Sequence, residues 1–130
     1  MLNISQPILD QIAAQAAREA PLEACGYLAG TGDTAAAVYP LSNMDKSPEH
    51  FSFDPRQQFK TIKAARAQGL TILAVYHSHP ASPARLSDED IRLSLDPDVI
   101  YLIYSIPEKK LSAFKLTQGK IIDEEIKIGV

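Results

Sequence analysis

A chain of 130 residues, 45% hydrophobic with 9 prolines and 6 glycines, is long enough for one folded core and short for two, so a single domain over residues 1–130 is expected. The formal charge of −3 supplies no basic stripe for a phosphate backbone, which argues against nucleic acid as a partner. Cys25 is the only cysteine, which excludes an intrachain disulfide and a thiolate metal cluster and points to a reducing, cytoplasmic setting.

The N-terminal run MLNISQPILDQ lacks the basic start and apolar core of a secretion signal, and no run of about 18 apolar residues suggests a membrane span. Ser5 and Pro7 announce a helix over residues 6–20, with apolar positions Ile8, Leu9, Ile12, Ala13, Ala16 and Ala20 at helical spacing. Asp10 and Glu19 fall on its solvated face. After Pro21, CGYLAG is short and uncharged and runs into the turn-like TGD with Asp33, which favours a buried strand. Residues 35–41 read as its hairpin partner. The segment SNMDKSPEHFSFD is a loop until Phe51 and Phe53, whose alternation predicts a brief strand.

Asp54 then suits an N-cap, Pro55 the first helical position, Gln57 the reciprocal capping position and Gly69 the stop of a helix over 55–68. Arg56, Lys60 and Lys63 share one face, read as solvated and opposite Phe59 and Ile62. LTILAVYHSH has little polar alternation and predicts a central strand covered on both faces. Ser87 opens a short helix, SDEDIRLSL; a strand over 99–106 follows, and the tail holds two strand-like runs around a turn at Gln118-Gly119. The sum is an α+β (α/β-like) fold, a mixed central sheet flanked by about three helices.

The chemistry concentrates in VYHSHPASPARLSDED, Val75 to Asp90. Residues two apart in a strand point to one face, so His77 and His79 can offer both imidazoles to one ion while Ser78 points away. Pro80 ends the strand and leaves both at its C-terminal end. Such a pair alone is a weak metal signal. Ser87 and Asp90 also have a structural explanation, because a serine N-cap with a carboxylate three residues on forms a capping box, and Asp88, Glu89 and Asp90 suit the helix dipole. The short ASPARL loop lets that helix fold back beside the strand, where Asp90 can meet the histidines. Two imidazoles and a carboxylate suit catalytic zinc with water as the fourth ligand, with Fe²⁺ as the rival ion. Glu23, at the head of an otherwise uncharged run, is a candidate proton carrier, set against the plainer reading of a surface carboxylate.

Glu23, then His77-Ser78-His79-Pro80, six residues, Ser87, two residues and Asp90 together resemble the JAMM motif of the MPN+ metallopeptidases, with no departure at a motif position. PLEACGYLAG resembles the family's glutamate-bearing segment and SPEHFSFDP the approach to its second helix, so the likeness spans residues 6 to 115 or so. The resemblance implies the MPN/JAMM (cytidine-deaminase-like) architecture and one zinc ion held by His77, His79, Asp90 and water. It further implies Glu23 as general acid/base and Ser87 as a hydrogen-bond donor to the tetrahedral oxyanion. Family members cleave peptide or isopeptide bonds at the C-terminal tail of ubiquitin-like proteins, and the small prokaryotic members are associated with sulfur-carrier proteins, which implies a substrate with a Gly-Gly-type tail.

Asn43 and Ser47 lie in a loop expected to flank that tail. Cys25 reads as a small packing residue, with lining of the site as the alternative, and His50 as an exposed loop histidine. Three rival functions are a metal-free MPN scaffold, a RadC-like DNA-associated protein and a zinc hydrolase of small molecules. The scaffold would have lost ligands, and the RadC pattern reads His-Asn-His-Pro-Ser-Gly where this chain has His-Ser-His-Pro-Ala-Ser.

Overall fold

Ser5 starts the first helix by accepting a hydrogen bond from the Ile8 N–H at 3.4 Å, with Pro7 in the first turn. The computed structural model, which describes residues 1–93 and 96–129, runs β1 (Leu2–Ile4), α1 (Gln6–Glu19), β2 (Cys25–Thr31), β3 (Thr34–Leu41), α2 (Pro55–Ala67), β4 (Thr71–His79), α3 (Asp88–Leu93), β5 (Ile100–Ser105), β6 (Lys110–Thr117), β7 (Lys120–Glu124) and β8 (Ile126–Ile128). Ser94 and Leu95, expected to end the third helix, lie outside the described residues. Asp54 caps α2 by accepting from the Arg56 N–H at 3.0 Å, and Gly69, at φ +74°, takes the left-handed conformation that stops it. Gln118 and Gly119, at φ +50° and +76°, make the tight turn between β6 and β7.

The strands form one mixed sheet in the order β7-β6-β5-β4-β2-β3-β1-β8. β4 is central, antiparallel to β2 and parallel to β5. β7 and β8 occupy opposite ends of that order, yet only Glu125 separates them in the chain. One residue spans about 3.3 Å, so the sheet must curl until its ends approach each other. The Leu2 N–H donating to the Glu125 carbonyl at 2.8 Å and the Met1 ammonium pairing with Glu124 hold that closure.

Strand alternation divides the core. On one face α1 lays Ile8 and Ile12 against Leu28, Ala74, Tyr76 and Leu102. On the other, Cys25, Tyr27 and Leu41 pack with Phe51, Phe53, Ile62 and Val75. His77 and His79 follow Val75 at even steps and so project on this second face. Across the first face the Tyr76 hydroxyl donates to Gln15 Oε1 at 2.5 Å, and the Gln15 amide donates to the Cys25 carbonyl at 3.0 Å.

Several expectations need correction. Phe51 and Phe53 form no strand: the intervening Ser52 bonds to Asn43 and Met44 through its backbone, and the Phe53 ring packs on Tyr27 with centroids 5.1 Å apart. Phe59 is 68% exposed, so α2 presents Ala65 and Ile62 inward and Phe59 joins the solvent face. Gln57 makes no reciprocal cap, because its Oε1 accepts from the Ser42 N–H at 2.8 Å and ties α2 to the end of β3. β1 and β8, each of three residues, are too short for periodicity to mark, and their pairing comes from sheet closure. Among the described residues, no helix is long and apolar enough to cross a membrane.

Gly26 lets Tyr76 cross beneath β2. A Cβ there would lie 2.4 Å from the Tyr76 hydroxyl oxygen and 2.5 Å from the main-chain carbonyl oxygen of Tyr39. Gly26→Ala should therefore lower unfolding free energy by about 2–3 kcal/mol in urea titration. Adding Tyr76→Phe should not restore it, because the backbone clash remains; full recovery in the double variant would show that the hairpin yields freely.

Candidate active site

The β2–β4 register assembles the site. Cys25 stands opposite His77, and the pairing continues past the strand end, with the Ser78 N–H donating to the Ala24 carbonyl at 2.9 Å and the Ala24 N–H to Ser78 Oγ at 2.8 Å. Glu23, one step further, comes level with His79. Ser78 is thereby occupied with the backbone on the side away from the histidines.

His77 Nε2 and His79 Nε2 lie 3.3 Å apart. The Asp90 carboxylate reaches both, Oδ1 at 3.1 Å from His77 and Oδ2 at 3.0 Å from His79. α3 delivers it through a closed capping box: the Asp90 N–H donates to Ser87 Oγ at 3.0 Å and the Ser87 N–H donates to Asp90 Oδ2 at 2.9 Å. His79 is oriented from behind, its Nδ1 donating to the Pro83 carbonyl at 2.7 Å. Phe51 stacks on His77, with centroids 4.9 Å apart and planes 29° apart.

Glu23 is 2% exposed, and its Oε1 has no hydrogen-bond partner among the described residues. Burial pushes its carboxyl up to about 8; His79 opposes that shift, while Asp90 and Glu49 add to it. Asp90 is buried too, but hydrogen bonds from His77, His79 and the Ser87 N–H outweigh the desolvation and hold it well below the usual carboxylate range. Burial lowers His77 despite Asp90, favouring its neutral ring.

The donor set fits a divalent transition metal. Nδ1–H is committed to Pro83, so an incoming cation need only displace the Nε2 proton that His79 otherwise shares with Asp90, after which that lone pair, a carboxylate oxygen and a second imidazole converge on one point. Tetrahedral coordination with bonds of about 2.0–2.1 Å places ligand atoms about 3.3 Å apart. The His77–His79 separation of 3.3 Å matches that edge, and Asp90 offers a different oxygen to each ring, Oδ1 at 3.1 Å and Oδ2 at 3.0 Å, so its carboxylate stands beside both. Glu23 joins the two histidines in a looser grouping, its ligand atom within 4.8 Å of theirs, which suits a proton carrier better than a direct ligand.

The remaining expected residues fall around this centre. Asn43, 8% exposed, spends its amide on the backbone, donating to the carbonyls of Glu23 at 3.1 Å and His50 at 3.0 Å, while its Oδ1 accepts from the Asp45 N–H at 3.0 Å. The Ser47 carbonyl accepts from the Glu23 N–H at 2.9 Å. Both residues thus hold the Glu23 segment. Cys25 is fully buried, which pushes its thiol up to about 12 and leaves it a packing residue. His50 pairs with Asp45 at 2.8 Å on the exposed side of the loop. Sequence reading missed the Pro83 carbonyl and the Phe51 ring; a proline-rich loop after His79 and an aromatic before a capped helix were the available signals.

Known proteins resemble this chain over most of its length. A family model described as prokaryotic homologs of the JAB domain matches residues 5–117. A CysO-cysteine peptidase of Mycobacterium tuberculosis is 29% identical over 133 residues, covering 98% of this chain and 91% of that one. A desampylase of Haloferax volcanii is 34% identical over 113 residues, covering 85% and 81%. The solution structure of DSY2949 from Desulfitobacterium hafniense superposes with a TM-score of 0.89 at 42% identity, covering 98% of this chain and 92% of the other. The JAB1/MPN domain protein AF2198 of Archaeoglobus fulgidus, with a TM-score of 0.69 at 21% identity over 98% of this chain and 96% of its own, shares the fold. The chain therefore belongs to the family of prokaryotic homologs of the JAB domain, with an α+β fold of the MPN type, and is a JAMM-type peptidase.

Proposed function

We propose that this protein hydrolyses a peptide or isopeptide bond at the C-terminal, Gly-Gly-type tail of a ubiquitin-like sulfur-carrier protein, using one zinc ion held by His77, His79 and Asp90. The observation that carries the metal reading is the buried meeting of two imidazole nitrogens 3.3 Å apart with a carboxylate whose two oxygens lie 3.1 and 3.0 Å from them. The substrate class draws support from relatives named as a CysO-cysteine peptidase and a desampylase. Zinc, when bound there, supplies a Lewis acid that polarises the scissile carbonyl and brings water's acidity near neutral pH.

The chain's own groups then move protons and bind charge. Glu23 accepts a proton from the attacking water as the C–O bond forms and hands it to the leaving nitrogen as the C–N bond breaks, leaving a carboxylic acid and an amine, which exchange the second water proton to become carboxylate and ammonium. In the metal-free protein burial raises its carboxyl to about 8, and its Oε1 engages no donor among the described residues, which leaves the group open to take and give a proton. Ser87 Oγ accepts from the Asp90 N–H and so keeps its own hydroxyl proton to donate toward the carbonyl oxygen as negative charge develops. Asn43 and Ser47 act indirectly, by fixing the main chain of Glu23 on both sides.

The decisive assay uses a sulfur-carrier protein extended past its terminal diglycine. Glu23→Gln should keep its zinc and cut at least about a hundredfold more slowly than the native protein. His77→Ala and His79→Ala should each lose zinc occupancy, and native zinc content in either would remove the ligand assignment. Chelation should abolish cleavage, with zinc restoring it.

Glu23 also makes a stability prediction for the metal-free protein. Its folded pKa, about 8, lies above the ordinary 4.5, so between those values the folded state keeps a proton that the unfolded chain releases. The stabilisation is complete below the unfolded value and is lost as pH rises through about 8. Thermal unfolding in chelator should therefore show Glu23→Gln gaining on the native protein by several degrees from pH 5 to pH 8, whereas a constant offset would mean that Glu23 titrates normally.

A further inference from the structure

The loop between β4 and α3 carries the Pro83 carbonyl that fixes His79, and the turn after β5 carries the groups that fix the loop. Ser105, fully buried, donates from Oγ to the Ser82 carbonyl at 2.7 Å and accepts from the Glu108 N–H at 3.2 Å. The Glu108 carboxylate accepts from the Ala84 N–H at 2.7 Å. That N–H and the Pro83 carbonyl are the two ends of one peptide group, and the carbonyl accepts from His79 Nδ1 at 2.7 Å and from the Arg85 N–H at 2.8 Å. The line therefore reads Glu108 carboxylate, Ala84 N–H, Pro83 carbonyl, His79 ring.

A carboxylate on one end of a peptide group polarises it and makes the carbonyl at the other end a stronger acceptor. Metal-binding histidines commonly donate their second ring nitrogen to a carboxylate or a carbonyl, which fixes tautomer and orientation. Here both partners are present in series. The Ile106 N–H also donates to the His79 carbonyl at 3.1 Å, so the same turn grips the histidine's main chain.

We infer that Glu108, an exposed residue on the β5–β6 turn that stood outside the motif, is a positioning residue for His79, acting through the Pro83–Ala84 peptide group to hold the ring with Nε2 toward the metal. The inference builds on the reading of His79 as a zinc ligand. In that role Glu108 touches neither substrate nor metal. It sets how much of the metal-free protein has a ring ready to bind.

Two measurements test it. Nitrogen–proton correlation spectra of the chelated protein should show the His79 Nδ1 proton held in a strong hydrogen bond, and Glu108→Ala should move that signal toward the value of a solvent-bonded ring. Chelator-competition titration should show zinc binding weakened about tenfold or more in Glu108→Ala, the size expected for loss of an outer partner. Glu108→Gln retains an acceptor oxygen without the charge and should fall between the two in both measurements, which separates this role from general damage to the turn. A Glu108→Ala protein with the native His79 spectrum and zinc affinity within about twofold of native would overturn the proposal, since an outer partner should cost more than that. If the His79 spectrum shifts as expected while His79→Ala still binds zinc, the ligand assignment fails and the positioning role stands.

Discussion

The Asp90 carboxylate, 6% exposed between two imidazoles, is the interaction on which the rest of the site depends. An ion removed from water loses several kcal/mol of solvation, and fixed partners must return it. β4 supplies two of those partners on one strand face, and Ser87, the residue that caps α3, supplies its N–H. Each is useful only if α3 lies against the end of β4. The capping box thus does more than start a six-residue helix: the bonds that close it also aim the carboxylate at the histidines.

Two carboxyl groups share this burial and diverge in charge. Asp90 is surrounded by donors and stays ionised, whereas Glu23 Oε1 has no hydrogen-bond partner among the described residues and its carboxyl is pushed up to about 8. The difference comes from partners rather than depth, and it separates a group suited to holding a cation from one suited to carrying a proton. The loop from Asn43 to Phe53 keeps the two in register, because Asn43 and Ser47 grip Glu23 by its main chain and Phe51 lies on the ring of His77.

Much of this was legible in the sequence where one local rule decides. Ser5, Asp54-Pro55, Gly69 and Gln118-Gly119 mark their helix ends and turn because caps and left-handed backbone select few residue types. The side-by-side histidines follow from strand period alone. Phe59 misled because amphipathic spacing cannot say which side of a helix meets the sheet, and Gln57 because an amide able to cap can equally reach Ser42. Asn43 lies in a loop expected to flank the substrate tail, and what the sequence does not reveal is that its amide also holds backbone groups of Glu23 and His50, one of them twenty residues away in sequence. Such long-range backbone partners leave no periodic trace.

The face opposite the site fixes its geometry. A slip of one residue between β2 and β4 would turn His77 and His79 to the other side of the sheet and carry Glu23 away from them. Gly26 and Tyr76, paired across the two strands, resist that slip, because only glycine leaves space for the phenol to cross. The phenol then reaches Gln15 on α1, and Gln15 returns to the carbonyl of Cys25, the residue opposite His77. Helix packing on one side of the sheet thereby supports, through one glycine and two buried polar side chains, the strand register on which the imidazoles on the other side depend.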